Sequence, residues 1–121
     1  MSGSETGRMG EKLAAEVLER EGYTVIARNV HSLYGELDLI AVDSEYICFV
    51  EVKVRKRDSQ VSPVEAVGPQ KRRRIITTAL LYLQNHPSDL QPRFDIFSIV
   101  TENRRVTGYD HLKGAFDTDG Y

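Results

Sequence analysis

Residues 35 to 55, GELDLIAVDSEYICFVEVKVR, read as two strands joined by a tight turn, and they carry Asp38, Glu51 and Lys53 inside runs that are otherwise apolar. An ion taken out of water costs several kcal/mol unless it is paired or holds a metal, so two acids and a lysine in one apolar hairpin must be accounted for. Alternation along 46 to 54 puts Phe49, Glu51, Lys53 and Arg55 on one face and Val50, Val52 and Val54 on the other. With a turn at Ser44-Glu45, or over Asp43 to Tyr46, an antiparallel register sets Asp38 opposite Glu51 and Glu36 opposite Lys53. Opposed Cβ atoms lie about 4.5–5.5 Å apart, close enough for two carboxylates to share one cation. A three-residue turn would send Asp38 to the far face instead. The expected chemistry is a divalent-metal site acting on a phosphodiester.

The 121 residues allow one domain, read as 1-121 with 1-6 loose and 117-121 frayed. With 40% hydrophobic and 28% charged residues, the chain belongs with folded globular proteins. No apolar run approaches the roughly 20 residues needed to span a bilayer, and the first residues lack a signal-peptide core, so a cytoplasmic location without membrane partners is expected. Cys48 stands alone among apolar neighbours and reads as a buried, inert thiol. His31, His86 and His111 lack ligand spacing and read as surface or loop residues. The net charge is only −2, yet eight basic residues against two acids fall between Lys53 and Arg74. Such clustering suits phosphate contacts.

In chain order, Gly7 to Glu21 reads as a helix with Met9, Leu13, Ala14, Val17 and Leu18 in its apolar stripe and Gly22 as a left-handed cap. Glu11 sits at the border of that stripe, either reaching the rim of the core or facing the positive helix N-terminus from the surface. Tyr23 to Val30 is a strand, and His31 to Tyr34 a loop. Ser62-Pro63-Val64-Glu65 fits a capping box opening a helical turn. A second helix then runs from Gly68-Pro69 to about Asn85, burying Ile75, Ile76, Ala79, Leu80, Tyr82 and Leu83. Its first turns hold Gln70, Lys71, Arg72, Arg73 and Arg74, either a solvated face or a phosphate-binding one. Pro92 to Val100 is a strand whose Asp95 should pair with an internal basic side chain; Arg105 to Tyr109 is the last strand, and His111 to Phe116 a packed tail.

Asp, a spacer, then Glu-x-Lys on the next strand resembles the signature of the PD-(D/E)xK nuclease superfamily. More closely, GxxGExxAAxxL at Gly7 to Leu18, GELDLIA at Gly35 to Ala41, FVEVKVR at Phe49 to Arg55 and RFDIFSI at Arg93 to Ile99 look like the YraN-like family of uncharacterised bacterial proteins. The resemblance covers roughly residues 7 to 116. It implies an α/β, restriction-endonuclease-like αβββαβ core with a mixed sheet flanked by helices. It also implies a catalytic set of Glu11, Asp38, Glu51 and Lys53, with Asp38, Glu51, the Val52 carbonyl and Glu11 as ligands of Mg²⁺ or Mn²⁺. Arg55, Lys56, Arg57, Gln70, Arg72 and Arg73 would bind nucleic acid, DNA in preference to RNA, and likeness to resolvases allows a homodimer. Two carboxylates nearby favour a protonated Lys53, an electrostatic group rather than a base.

Two other readings stay open. One is a nucleic-acid-binding protein that keeps the fold without cutting; the other is a protein-interaction module with the acids and lysine in an ion-pair network. No base-reading motif is present, so action on branched or processed DNA is expected over sequence-specific cutting.

Overall fold

The computed structural model describes residues 3 to 119. Eight elements follow in the order α1 Gly3–Arg20, β1 Thr24–Ser32, β2 Gly35–Val42, β3 Tyr46–Lys56, α2 Pro63–Ala66, α3 Pro69–Asn85, β4 Gln91–Glu102 and β5 Arg105–Phe116. The five strands form one sheet in sequence order, antiparallel throughout except for the parallel β3–β4 pair. That pair needs a crossover, and α2 with α3 supply it. This mixed sheet with helices on both faces is the expected α/β architecture, consistent with a restriction-endonuclease-like fold. None of the described helices is long and apolar enough to cross a membrane.

Two cores result. On one face α1 lays Ala14 and Leu18 onto Leu39, Cys48, Val50 and Phe97. On the other, α3 lays Ile75 and Ile76 onto Ile40, Phe49, Phe94 and Ile96. Each fully buried Leu, Ile or Phe contributes about 1.5–3 kcal/mol, so these faces hold the helices in place. Cys48 is buried as expected, and burial pushes its thiol pKa up to about 12. Gly22 ends α1 at φ 99°, with Tyr23 N–H donating to the Leu18 carbonyl at 3.0 Å and Gly22 N–H to Glu19 at 3.1 Å. This is a Schellman closure, which needs the left-handed residue. Gly10 serves closeness instead: a Cβ there would stand 2.9 Å from Val54 Cγ2, so glycine lets this turn of α1 lie directly on β3.

Several expectations are corrected. Helix α1 begins at Gly3, so residues 3 to 6 are helical rather than loose; residues 1 and 2, like 120 and 121, lie outside the described residues. Leu80 is 55% exposed, and Thr78 takes the buried place on α3. The expected tail is strand: β5 continues through His111 to Phe116, its alternation hidden by an irregular register opposite Phe94 and Ile96 and by Gly114 at φ 59°.

Asp95 explains that irregularity. It is fully buried, and its carboxylate receives Arg93 through Nε at 2.9 Å and Nη2 at 2.8 Å, Gly114 N–H at 3.0 Å and His111 Nε2 at 2.7 Å. The pairing with an internal base is thus met by Arg93. His111, expected at the surface, has a side chain only 5% exposed and turns its other nitrogen to Glu21 Oε2 at 3.0 Å. Burial opposes charge on both residues, but these bonds outweigh it, holding Asp95 down at about 2 and raising His111 above its ordinary value.

Asp95→Asn leaves Arg93 and His111 facing an amide, and we predict a loss of about 3–5 kcal/mol in urea unfolding. The lowered Asp95 pKa gives stability that is present above the unfolded value of 3.8 and lost as pH falls toward about 2. The raised His111 pKa gives stability that is present below the ordinary histidine range and lost as pH rises through the folded value. His111→Ala should therefore weaken the protein more at mildly acidic than at alkaline pH, as urea midpoints measure.

Candidate functional site

The turn between β2 and β3 is the expected tight one. Asp43 N–H donates to the Tyr46 carbonyl at 3.1 Å, and Asp43 Oδ1 accepts Glu45 N–H at 2.9 Å and Tyr46 N–H at 2.7 Å. It sets Leu39 opposite Val50, Ile40 opposite Phe49, Ala41 opposite Cys48 and Val42 opposite Ile47, the register in which Asp38 faces Glu51. There the ladder stops. β2 reaches back to Gly35 and β3 runs on to Lys56, but the two separate beyond Leu39 and Val50. At this fork Asp38 Oδ2 accepts the Val52 N–H at 2.7 Å, replacing a backbone partner with a carboxylate.

The fork also breaks the strand period. Leu37 packs in the α3-side core and Leu39 in the α1-side core, although two residues apart they should share a face. Across from Asp38, the β1–β2 pairing skips Asn29, which takes a left-handed φ of 51°. Asparagine tolerates that conformation better than most residues, and such outliers concentrate at functional sites. The Asn29 side chain lies near Glu11 and favours its charged form, while the neighbouring Asp38 disfavours it.

Three acids from three elements thus meet around Asp38: Glu11 from α1, Asp38 from β2 and Glu51 from β3. Glu51 is only 7% exposed and lies beside Asp38. A second carboxylate so near disfavours charge on a buried acid. Burial, then the charge and hydrogen bond of Asp38, push the Glu51 pKa up to about 8, while Lys71 opposes the rise. Lys71 Nζ lies 3.5 Å from Glu51 Oε1 and is the cation that the sequence reading passed over. Glu11 is raised too, by burial and then by Asp38. Val52 and Val54 pack toward α1, which leaves Glu51, Lys53 and Arg55 toward α3.

The arrangement suits a hard cation in a specific way. Among the described residues, no three His, Cys, Asp or Glu side chains are set to hold a metal ion by themselves. Magnesium, however, takes one or two carboxylates and keeps several waters. Asp38 and Glu51 are the two carboxylates at the fork that could serve as such a pair.

The basic residues separate into two kinds. Arg72 donates through Nε to the Val67 carbonyl at 2.7 Å and through Nη2 to Val64 at 2.6 Å, and lies over the Phe116 ring. It pins the α2–α3 junction. Arg55 Nη1 donates to the Val61 carbonyl at 3.1 Å, and Glu36 stands beside His31 at 3.4 Å. Gln70 and Arg73 are exposed on the first turns of α3. Lys56 and Arg57, with Arg55, line a groove of about 880 Å³ between the start of α1 and the β4–β5 turn. Arg104 joins them there, on a turn where Asn103 and Arg104 both have positive φ.

The raised Glu51 pKa has a consequence for the metal-free protein. A folded carboxyl that holds its proton more tightly than the unfolded one gives stability that is full below pH ~4.5 and lost as pH rises toward ~8. Glu51→Gln should remove this loss, so its melting temperature should exceed the parent's at alkaline pH and differ less at acidic pH. Thermal melts with chelator present measure it.

Residues 10–99 match the model of the uncharacterised protein family UPF0102. Among similar proteins, a UPF0102 protein of Syntrophotalea carbinolica is 41% identical over 116 residues, 95% of this chain and 94% of that one. A UPF0102 protein of Chlorobium chlorochromatii is 39% identical over 117 residues, 93% of this chain and 91% of its own. That of Syntrophus aciditrophicus is 43% identical over 115 residues, 93% and 88% of the two chains. Matched by the family model over residues 10–99 and 39–43% identical to these relatives over nearly its whole length, the chain belongs to the UPF0102 family, the YraN-like proteins.

Proposed function

We propose that this protein is a metal-dependent endonuclease of the PD-(D/E)xK type, hydrolysing phosphodiester bonds of nucleic acid, DNA in preference to RNA, at branched or processed sites. The observation that carries this reading is the meeting at the β2–β3 fork of Asp38, fixed by the Val52 N–H at 2.7 Å, with the buried Glu51 beside it. Asp38 and Glu51 would hold Mg²⁺ or Mn²⁺, with the Val52 carbonyl as a further donor and Glu11 reaching the ion through water. An ion so held neutralises phosphate charge and lowers the pKa of bound water. Asn29 near Glu11 favours the charged form that such a role needs. Lys53 offsets charge on the phosphate under attack, and Lys71 steadies Glu51 once that carboxyl has lost its proton. Arg55, Lys56, Arg57, Gln70 and Arg73 would meet the backbone, a set of contacts that positions substrate without reading its sequence. A homodimer would fit a two-stranded target.

The lack of a complete three-ligand set among the described residues favours one second reading, a nucleic-acid-binding protein that keeps the fold and does not cut.

Branched, single-stranded and duplex DNA and RNA incubated with Mg²⁺ or Mn²⁺ separate the two. The enzyme reading predicts metal-dependent cutting, lost in Asp38→Ala with binding retained, and lowered about 10²–10³-fold in Lys53→Ala. No cutting by the parent under either ion leaves the binder. Lys56→Ala and Arg57→Ala should each reduce the salt slope of binding by about 1, as titration at several salt concentrations measures.

A further inference from the structure

The turn joining β1 to β2 presents two apolar side chains to water: Leu33 is 98% exposed and Tyr34 58%. The backbone beneath them is firmly held. Ser32 Oγ accepts the N–H groups of Tyr34 at 3.0 Å and Gly35 at 3.2 Å, and bonds Thr78 Oγ1 of α3 at 2.8 Å. Gly35 lies so close to α3 that a Cβ on it would stand 2.9 Å from Arg74 Cβ. The tip is therefore clamped to the helix that carries Lys71, Arg73 and Arg74, and it continues directly into the strand that carries Asp38.

We infer that Leu33 and Tyr34 stack on nucleobases uncovered where a duplex is interrupted, so that this tip selects branched or terminated duplexes over continuous ones. The inference rests on the reading of the acidic fork as a nucleic-acid site and names its substrate class. A continuous duplex offers charged backbone and groove edges, with its base faces stacked against one another. An aromatic ring beside an aliphatic wedge finds a base face without the unstacking cost, about a few kcal/mol per step, only where that stacking is already broken. The adjacent cations of α3 supply backbone attraction, and the clamp through Ser32, Thr78 and Gly35 means that little order has to be gained on binding. Tyr34 precedes Asp38 by four residues, about 13 Å along a strand, or about four nucleotide steps.

The test uses the full chain carrying Asp38→Asn, which holds substrate uncut while the amide oxygen can still accept the Val52 N–H. Its binding to a forked DNA with 2-aminopurine at the branch is compared with binding to a continuous duplex of equal length, with and without Leu33→Ser and Tyr34→Ser. The expected result is a fork-specific fluorescence change, and on tip substitution a loss of fork affinity on the order of 10- to 100-fold with duplex affinity kept. In the parent background, cuts should fall about four nucleotides from the branch and lose that preference when the tip is changed. A folded tip variant that keeps the fork preference overturns the inference. So does a tip variant that dissociates a dimer in sedimentation while the preference stays, because the tip then seats on a second copy. Absence of cutting by the parent sinks the endonuclease reading alone, since the affinity ratio is measured without cleavage.

Discussion

The geometry of the site depends on one hydrogen bond, from the Val52 N–H to Asp38 Oδ2 at 2.7 Å. Where β2 and β3 part, a strand amide would otherwise lose its partner, and the Asp38 carboxylate takes that place. The same side chain therefore ends the ladder and begins the site. Because a backbone amide fixes one oxygen of Asp38, the carboxylate is held next to Glu51 and Glu11 despite like charge. The strain of the arrangement surfaces at its neighbours: Asn29 in a left-handed conformation, the apolar alternation broken between Leu37 and Leu39, and a proton retained by Glu51.

Around that fork the fold supplies each further group from a different layer. Gly10 lets α1 descend onto β3, which brings Glu11 to the fork from one side. The crossover to β4 places α3 on the other side, and Lys71 meets Glu51. The second buried polar network, centred on Asp95, involves β4, β5, Glu21 just beyond the end of α1 and the Tyr23 hydroxyl, to which Arg93 donates at 2.8 Å. It ties the residues just after α1 to the sheet, and its charges are balanced internally. The two networks thus differ in kind: around Asp95 cations satisfy a buried carboxylate, whereas around Asp38 acids outnumber the cations that touch them.

Much of this was legible in the sequence because it is local. Period-two alternation and a two-residue turn were enough to set Asp38 against Glu51, and a capping serine and a proline marked where α2 and α3 begin. What escaped is long-range or irregular. Lys71 reaches Glu51 only through the placement of α3, which no window of sequence contains. Arg72 and Arg73 are equivalent in a charge run, yet Arg72 is turned back onto the Val64 and Val67 carbonyls. His111 read as surface because Gly114 and a register shift conceal the strand that buries it. Asn29 gave no signal at all, since its role comes from facing Asp38 across a strand pair.

If a hard cation occupies the fork, it must take the place of the proton that burial and Asp38 favour on Glu51. Calorimetric titration of Mg²⁺ and Mn²⁺ near neutral pH, in two buffers of different ionisation enthalpy, tests it most directly. One ion should bind per chain with release of about one proton, and both signals should vanish in Asp38→Asn. Binding without proton release, binding unchanged in that variant, or no binding of either ion would contradict it.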